Sequence, residues 1–319
     1  MIKKYLKLTC LSALTLTILS GCASKNNNNT ATTGDSTATV AASDPEPAQP
    51  VDDGIDWEKP LYEIRADGDT LWRYEYDAKG RISKKFADYY EENRCGCIIN
   101  YIYDDNDNLV AYRYYEPNGS EIETTDTYTY DSQNRLIETY YGADGGEETS
   151  TIKYEGNKRT ETRILSMMEC EPSETIKEIY SDANNNDTLI IINSKETDDN
   201  GKSYPVVTET RISYVSIGGK YLEQRLESKR KENNGQWQVP ETTTYEYDAD
   251  GKLIKSFYDN KEYTSNTTRE YDNAGRLIKS VTKSNYKSDN SSETDEITYK
   301  YTGNCRENSE GLKTYFKKK

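Results

Sequence analysis

Hydrophobic and polar residues alternate at every second position through most of the chain. Residues 74–76 and 245–247 both read Tyr-Glu-Tyr, which is the period of a strand with one buried face. Asp, Asn and Gly separate these short segments, and these residue types favour turns. No helical period occurs after the first apolar run, so the pattern predicts an all-β chain of short antiparallel strands.

The alternating segments belong to one repeated unit. Its clearest copies are residues 74–82, 128–136 and 245–253, each with Tyr, any residue, Tyr-Asp, two residues, Gly or Asn, a basic residue and Leu or Ile. We call the tyrosine before the aspartate, and the tyrosine aligned with it in looser copies that lack the aspartate, the repeat tyrosine. Five clear and four looser copies place it at Tyr76, Tyr103, Tyr130, Tyr154, Tyr180, Tyr214, Tyr247, Tyr271 and Tyr301. The chain is therefore predicted to contain nine β-hairpin units.

Each unit carries the residues of a three-residue hairpin loop. An aspartate such as Asp77 at the first position of a type I turn accepts hydrogen bonds from the backbone that follows it. Gly80 supplies the positive φ of the next position, and Asn134 takes that place in another copy. We expect Asp77 to face Arg81, and Tyr76 to face Ile82. The same register applies to Asp131 with Arg135, Asp248 with Lys252, and Asp272 with Arg276.

That register also predicts the two faces of the sheet. Side chains alternate along a strand, so neighbours in sequence lie on opposite faces. One face is expected to carry Tyr74, Tyr76 and Ile82. The other is expected to carry Glu75, Asp77, Arg81 and Ser83.

The repeated residues resemble the YD repeats of the Rhs family. In large members of that family the repeats form a long antiparallel sheet that curls into a shell around a C-terminal toxin. Only 18 residues follow Tyr301, so toxin delivery is not expected of this chain. The resemblance implies an antiparallel meander of about nine hairpins. Open sheets rarely exceed about 10 strands without curling, so we expect a strongly curved, partly closed sheet, with a flatter single layer as the alternative.

The N-terminus has the features of a bacterial lipoprotein. Three lysines precede an apolar run that ends at the lipobox 19–22, Leu-Ser-Gly-Cys. We predict a signal peptide at residues 1–21, an acylated Cys22 with a polar tether over 22–55, and a repeat domain at 56–319. An ordinary signal peptide that happens to contain a cysteine is the alternative. Ala23 after Cys22 favours the outer membrane by analogy with lipoprotein sorting.

Composition removes several classes of function. The formal net charge is -15, with 56 acidic and 41 basic residues, so we expect no nucleic-acid partner. There is no histidine, which excludes Ser-His-Asp catalysis and His-ligated zinc. We predict no catalytic residue, no cofactor and no metal ligand. The 29 tyrosines must supply most of the core.

Three patterns carry possible chemistry. Residues 104–108, Asp-Asp-Asn-Asp-Asn, resemble the start of a calcium loop, but Leu109 and Tyr115 stand where a glycine and a bidentate glutamate are needed, which favours a turn. Paired acids occur at 91–92, 147–148 and 198–199, but neighbours on a strand point to opposite faces and cannot flank one bond.

The third pattern is the tyrosines themselves. Tyrosines at alternate positions are either a platform for sugar rings or the core of the sheet. Their fixed place in every unit favours the core.

The cysteines of the expected mature chain, besides Cys22, are even in number: Cys95, Cys97, Cys170 and Cys305. An exported chain of this kind favours disulfides. In an open sheet Cys170 and Cys305 lie too far from Cys95 and Cys97 to bond. We therefore expect a local Cys95–Cys97 disulfide or free thiols.

These observations predict a lipid-anchored, non-catalytic envelope protein whose repeat sheet binds a protein or a glycan. A glycan-acting hydrolase with carboxylates on the concave face is one alternative. A structural spacer of the envelope is the other.

Overall fold

The computed structural model of the protein describes residues 54–66, 68–87, 97–143, 146–167, 172–198, 201–233 and 235–319. The expected signal peptide, the acylation site Cys22 and most of the tether lie outside these residues, as do Cys95 and Cys170. The described part of the chain includes no helix that is long and apolar enough to cross a bilayer.

The described residues form twenty strands, and each pairs antiparallel with the next strand in sequence. Their bounds are β1 Ile55–Ile64, β2 Thr70–Tyr76, β3 Ile82–Ala87, β4 Cys97–Tyr103, β5 Leu109–Tyr115, β6 Glu121–Tyr130, β7 Leu136–Ala143, β8 Gly146–Glu155, β9 Lys158–Met167, β10 Ser173–Ser181, β11 Asp187–Thr197, β12 Ser203–Ile217, β13 Lys220–Glu232, β14 Glu241–Tyr247, β15 Leu253–Asp259, β16 Tyr263–Tyr271, β17 Leu277–Tyr286, β18 Ser292–Thr302, β19 Cys305–Asn308 and β20 Lys313–Lys318. The predicted all-β antiparallel meander is confirmed.

The twenty described strands form one closed sheet, which corrects the expectation of a strongly curved, partly closed sheet of about nine hairpins. Strand β1 pairs with β2 on one side and with β20 on the other, so the first and last strands meet. At this seam the rings of Tyr62 and Tyr315 stack with centroids 4.5 Å apart. Trp57 packs edge-on against Tyr301 and Phe316, each at 5.0 Å. The repeated unit does not predict β1 and β20. By pairing with each other, these two strands satisfy backbone N–H and C=O groups that would otherwise be unpaired at the edges of an open sheet.

The hairpin turns have the predicted geometry. Tyr76 pairs with Ile82, and the backbone N–H of Asp77 donates to the carbonyl of Arg81 at 2.8 Å. Gly80 has φ of 78° and Asn134 has φ of 65°, the left-handed conformation that these residue types tolerate best. The register shift between Glu75 and Tyr76 marks the predicted bulge, so the turn interpretation is confirmed.

The turn aspartate is held by its own loop. In the third unit, Asp131 Oδ1 accepts from the backbone N–H groups of Gln133 and Arg135, each at 2.9 Å. Its Oδ2 accepts from the Arg135 guanidinium, 2.8 Å from Nε. The backbone N–H of Arg135 and then its guanidinium lower the pKa of Asp131 below its ordinary value. The predicted pairing of Asp131 with Arg135 is therefore present as an ion pair.

Eight of the nine repeat tyrosines, all but Tyr180, donate a hydrogen bond to a backbone carbonyl that precedes their own unit in the chain. The hydroxyl of Tyr103 donates a hydrogen bond of 2.9 Å to the carbonyl of Ile82. Ile82 is the first residue after the turn of the preceding unit. Equivalent bonds run from Tyr76 to Pro60, Tyr130 to Leu109, Tyr154 to Leu136, Tyr214 to Asp187, Tyr247 to Glu223, Tyr271 to Leu253 and Tyr301 to Leu277. Each contributes about 0.5–1.5 kcal/mol, so the fixed position of the tyrosine is structural.

The burial pattern distinguishes the two faces of the sheet. We call the face that carries eight of the nine repeat tyrosines the tyrosine face. Tyr180 lies on the opposite face, because Tyr154 pairs with Arg159 and Arg159 pairs with Ile179, the residue before Tyr180. By strand register the tyrosine face also carries the buried side chains Ala87, Thr139, Ser150, Ile179, Val206, Thr314 and Phe316, whereas buried Ala111 lies on the opposite face. Exposed Arg73, Glu75 and Lys84 lie on that opposite face. Because a closed sheet encloses one face, the less exposed tyrosine face is the enclosed one.

Candidate functional site

Five tyrosines surround one acid on the tyrosine face of β4–β7. We call this group, Tyr101, Tyr112, Tyr114, Tyr128 and Tyr141 with Asp126, the first tyrosine cluster. Strand register brings its members together, because Tyr101 pairs with Tyr112, Tyr112 with Asp126, and Asp126 with Tyr141. Directly paired side chains on one face lie within about 5.5 Å at their Cβ atoms.

The rings of the first tyrosine cluster meet edge to face. Tyr101 and Tyr112 have centroids 4.7 Å apart at 88°, and Tyr112 and Tyr128 are 5.7 Å apart at 86°. Tyr128 and Tyr141 are 6.0 Å apart, also at 86°. This arrangement places the positive edge of one ring against the negative face of the next. Tyr141, at the end of the series, is 37% exposed, so part of its side chain is accessible to solvent.

Asp126 is a half-buried acid among these rings. Its Oδ2 accepts a hydrogen bond from the Tyr114 hydroxyl at 2.7 Å. Burial raises the pKa of Asp126 above its ordinary value, although the hydroxyl of Tyr114 opposes this. Burial also raises the pKa of Tyr112 to about 12. None of the ion pairs formed by the described residues includes Asp126.

A second acid lies beside the cluster on β8. Glu148 pairs with Tyr141, so Asp126 and Glu148 flank this tyrosine on neighbouring strands. Their backbones are about 10 Å apart, because adjacent strands lie about 4.8 Å apart. Glu148 forms an ion pair with Arg163. The register pairs Glu147 with Gly142, so Glu147 and Glu148 point to opposite faces, as expected of neighbours on a strand.

A similar group occurs on the other side of the ring. We call Tyr258, Tyr263 and Tyr286 with Glu241 and Glu293 the second tyrosine cluster, on β14–β18. Its rings are tilted, with centroid separations of 5.4 Å at 47° and 5.9 Å at 39°. Tyr258 donates to Glu241 at 3.1 Å, and burial, then Glu241, raise the pKa of Tyr258 to about 12. Both acids are exposed.

A small cavity adjoins the second tyrosine cluster. Its volume is about 140 Å³, and strands β12 and β13 and the segment before β14 enclose it. Polar side chains, among them Thr208, Ser228 and Arg230, form most of the lining. The segment passes over β13, where the backbone N–H of Gln238 donates to the carbonyl of Arg230 at 2.7 Å. A cavity of this volume holds a few waters or one small molecule.

The loop that resembles a calcium site is a hairpin turn, as expected. Asp104 Oδ1 accepts from the backbone N–H groups of Asn106 and Asn108 at 2.9 and 2.8 Å. Asp107 occupies the position with positive φ, at 68°, and its carboxylate contacts Lys79 and Arg81 of the preceding turn. In the part of the chain that the structure describes, no three potential ligands converge on a metal position.

Other predicted positions lie partly outside the described residues. Glu91, Glu92 and Asp199 lie outside them, as does the predicted lipidation site Cys22. Cys97 and Cys305 are not bonded to each other, and burial raises the pKa of the Cys97 thiol. Because Cys95 lies outside the described residues, the local Cys95–Cys97 disulfide stays a prediction.

Asp126 is the site residue that the sequence reasoning missed. It lies two and four residues before Tyr128 and Tyr130, so it shares the face that the tyrosines occupy. An acid in phase with the apolar residues of a strand is the signal that could have identified it.

No protein-family model and no curated protein match the chain. Among solved structures, the Tc holotoxin pore of Photorhabdus luminescens is similar over 81% of this chain at 11% identity and a TM-score of 0.33. The chain spans 15% of that toxin chain. Porin-like proteins from Bacteroides uniformis and Bacteroides vulgatus are similar over 74% and 72% of this chain, and over 96% and 99% of their own. Their identities are 13% and 8%, and their TM-scores are 0.34 and 0.32, values too low to say what this chain does.

Proposed function

We propose that this protein is a lipid-anchored, non-catalytic binding protein of the bacterial cell envelope whose first tyrosine cluster binds a glycan. One observation carries the proposal. The exposed ring of Tyr141 lies between Asp126 and Glu148, on the face of the sheet that also carries four further tyrosines of the cluster.

The chemistry of this arrangement suits a sugar. An aromatic ring offers a flat apolar surface against which the C–H face of a sugar ring packs, and flanking carboxylates accept hydrogen bonds from its hydroxyl groups. Asp126 is already oriented by the hydroxyl of Tyr114. Such sites place a few polar groups around an aromatic surface.

Membrane attachment through Cys22 and membership of the YD-repeat family are parts of the same proposal. The lipobox 19–22 supports the first. The second is supported by the repeated Tyr-Asp turn and by the tyrosine bonds between consecutive units. Outer-membrane sorting is the location that Ala23 favours.

Replacement of Cys22 by Ser tests the anchor. Fractionated cells should then contain unprocessed or soluble protein, because no thiol is left for acylation. The lipoprotein proposal is wrong if the variant is cleaved and stays with the membrane as the original chain does.

A glycan array probed with the full chain in detergent tests the ligand. We expect binding that Tyr141→Ala abolishes and that Tyr221→Ala leaves intact. Tyr221 is the matched control because its ring is also exposed, at 50%, and lies outside both tyrosine clusters. Equal loss in both variants, or no glycan bound at all, would contradict the proposal. Recovery of a protein partner that depends on Tyr141 would replace the glycan with a protein ligand.

One observation favours a second candidate, a glycan-acting hydrolase. Burial raises the pKa of Asp126, as a general acid requires, whereas Glu148 is paired with Arg163. Two acids on either side of a bound sugar are the elements of glycoside hydrolysis. Release of reducing ends from a bound glycan, lost in both Asp126→Asn and Glu148→Gln, would favour the hydrolase. Binding without release favours the non-catalytic protein.

A further inference from the structure

The repeats place cations on tyrosine rings. The guanidinium of Arg81 lies 4.1 Å from the ring centroid of Tyr103 in the next unit. The same contact occurs at 4.3 Å between Arg135 and Tyr154 and at 4.6 Å between Arg276 and Tyr301. In all three of these units the arginine is also paired with its own turn aspartate. The protein thus repeats an arrangement in which one cation contacts both an aromatic face and a carboxylate.

The first tyrosine cluster has the aromatic faces and the carboxylate but not the cation. Within the described residues, no Lys or Arg lies over any of its five rings, and Asp126 has no basic partner. Removing a carboxylate from water without a counter-charge is unfavourable. The cluster therefore has negative potential from two sources, the acid and the ring faces.

We infer that the first tyrosine cluster binds an organic ammonium group, held by the carboxylate of Asp126 and the ring faces of Tyr128 and Tyr141. This inference rests on the proposed function where the ammonium belongs to an amino sugar. Because the rings of Tyr128 and Tyr141 are at 86° to each other, they form a corner in which an ammonium group can contact a face of each ring. The flanking Glu148 adds little negative potential, because its partner Arg163 already balances its charge.

Other cations fit the cluster less well. A divalent metal needs several oxygen ligands, and no three potential ligands converge in the described part of the chain. An ammonium group needs only one carboxylate and aromatic surface. The second tyrosine cluster does not carry the inference, because Glu241 and Glu293 are exposed and water already solvates their charges.

The probe is tetramethylammonium chloride, titrated into the full chain in detergent at constant ionic strength. Ring currents should shift and broaden its methyl resonance saturably. Neutral tert-butyl alcohol, which has nearly the same shape, should not bind. We expect the dissociation constant to rise about tenfold or more in Asp126→Asn, because one charge-assisted contact is lost. It should not change in Asp295→Asn, an exposed acid on the same face.

Two results would overturn the inference. One is equal binding of tetramethylammonium and tert-butyl alcohol, which would mean that only apolar contact matters. The other is unchanged binding in Asp126→Asn with an unaltered near-ultraviolet circular dichroism spectrum. Because Tyr114 can still donate to the asparagine oxygen, this variant should fold. If its spectrum does change, Tyr141→Leu supplies the same comparison, and retained affinity there also overturns the inference.

Glucosamine oligomers and N-acetylglucosamine oligomers identify the source of the ammonium. Preference for the amino form, abolished in Asp126→Asn, supports both the inference and the proposed glycan ligand. Binding of tetramethylammonium without binding of either oligomer, or of any sugar on the array, supports the inference and contradicts the glycan. Equal binding of the two oligomers without binding of tetramethylammonium supports the glycan and overturns the inference.

Discussion

The two tyrosine clusters use the same residue types on the same face but differ in where the acid lies. Asp126 lies in the interior of β6, between Tyr112 and Tyr141 of the adjacent strands, and is half-buried. Glu241 and Glu293 lie at the first and second positions of their strands and are exposed. Asp126 is half-buried because tyrosines on both adjacent strands cover it, whereas Glu241 and Glu293 remain in contact with water near the ends of their strands.

The two tyrosine clusters also differ in the angles between their rings. The first tyrosine cluster has three consecutive edge-to-face contacts, whereas the rings of the second are tilted by 47° and 39°. Perpendicular rings gain from their quadrupoles in addition to the area they bury. We therefore expect the first tyrosine cluster to contribute more to stability than the second.

The largest effect is expected from Tyr128→Ala. Its ring lies between two perpendicular neighbours, Tyr112 and Tyr141, so truncation should lower the free energy of unfolding by about 2–3 kcal/mol, less than for a fully buried aromatic. The matched change Tyr263→Ala in the second tyrosine cluster should cost about 1–2 kcal/mol, since its two ring contacts are tilted. Urea unfolding of both variants measures the difference. A larger loss in Tyr263→Ala would reverse the comparison.

The next effect concerns the turn that leads into the second tyrosine cluster. Gly251 has φ of 82°, and a Cβ there would lie 3.2 Å from Leu222. Gly251→Val should therefore lower stability by about 1–3 kcal/mol. Ser256→Val, within β15 after the same turn, should cost less because valine suits a strand. Thermal melts compare the two, and equal melting temperatures would exclude a strained turn.

A smaller effect separates two aspartates of one hairpin by the sign of their pH dependence. Burial raises the pKa of Asp126, so the folded state keeps its proton to higher pH than the unfolded chain does. The stability of the original chain should therefore fall as the pH rises from about 4 through the folded pKa. Asp126→Asn should remove that fall. Stability measured by urea from pH 4 to pH 8 tests this, and an unchanged slope would mean that the acid is solvated.

Asp131→Asn should show the opposite sign. Hydrogen bonds lower the pKa of Asp131, so its contribution is present above about pH 4 and is lost as the pH falls through its folded pKa. At neutral pH the variant should therefore be less stable than the original chain. The effect should be small because Asp131 lies in a solvated turn. Greater stability at neutral pH would contradict the role assigned to the turn aspartate.

Local features of the fold were predictable from the repeated unit. Asp77, Gly80 and Arg81 lie within five residues of one another, so turn chemistry alone sets their geometry and the pairing of Tyr76 with Ile82. Once that register is known, alternation assigns a face to each side chain between two bulges. It does not do so across a bulge, because the shift after Tyr76 pairs Lys84 with Glu75 instead of with Tyr74. Because of this alternation the sequence predicts that tyrosines share one face. It does not indicate which of the 56 acidic residues lies among them.

Closure of the ring and selection of the site were decided only by the tertiary structure. The pairing of Tyr62 with Tyr315 joins residues from opposite ends of the sheet, and it depends on the twist that all the intervening strands accumulate. Asp126 became a site residue because its neighbours across β5 and β7 are tyrosines, a relation that no local pattern encodes. The amino-acid sequence by itself determined the turns, the register and the two faces, since these follow from interactions within a few residues. Which strands meet, and which acid is buried among rings, follow from contacts between distant segments.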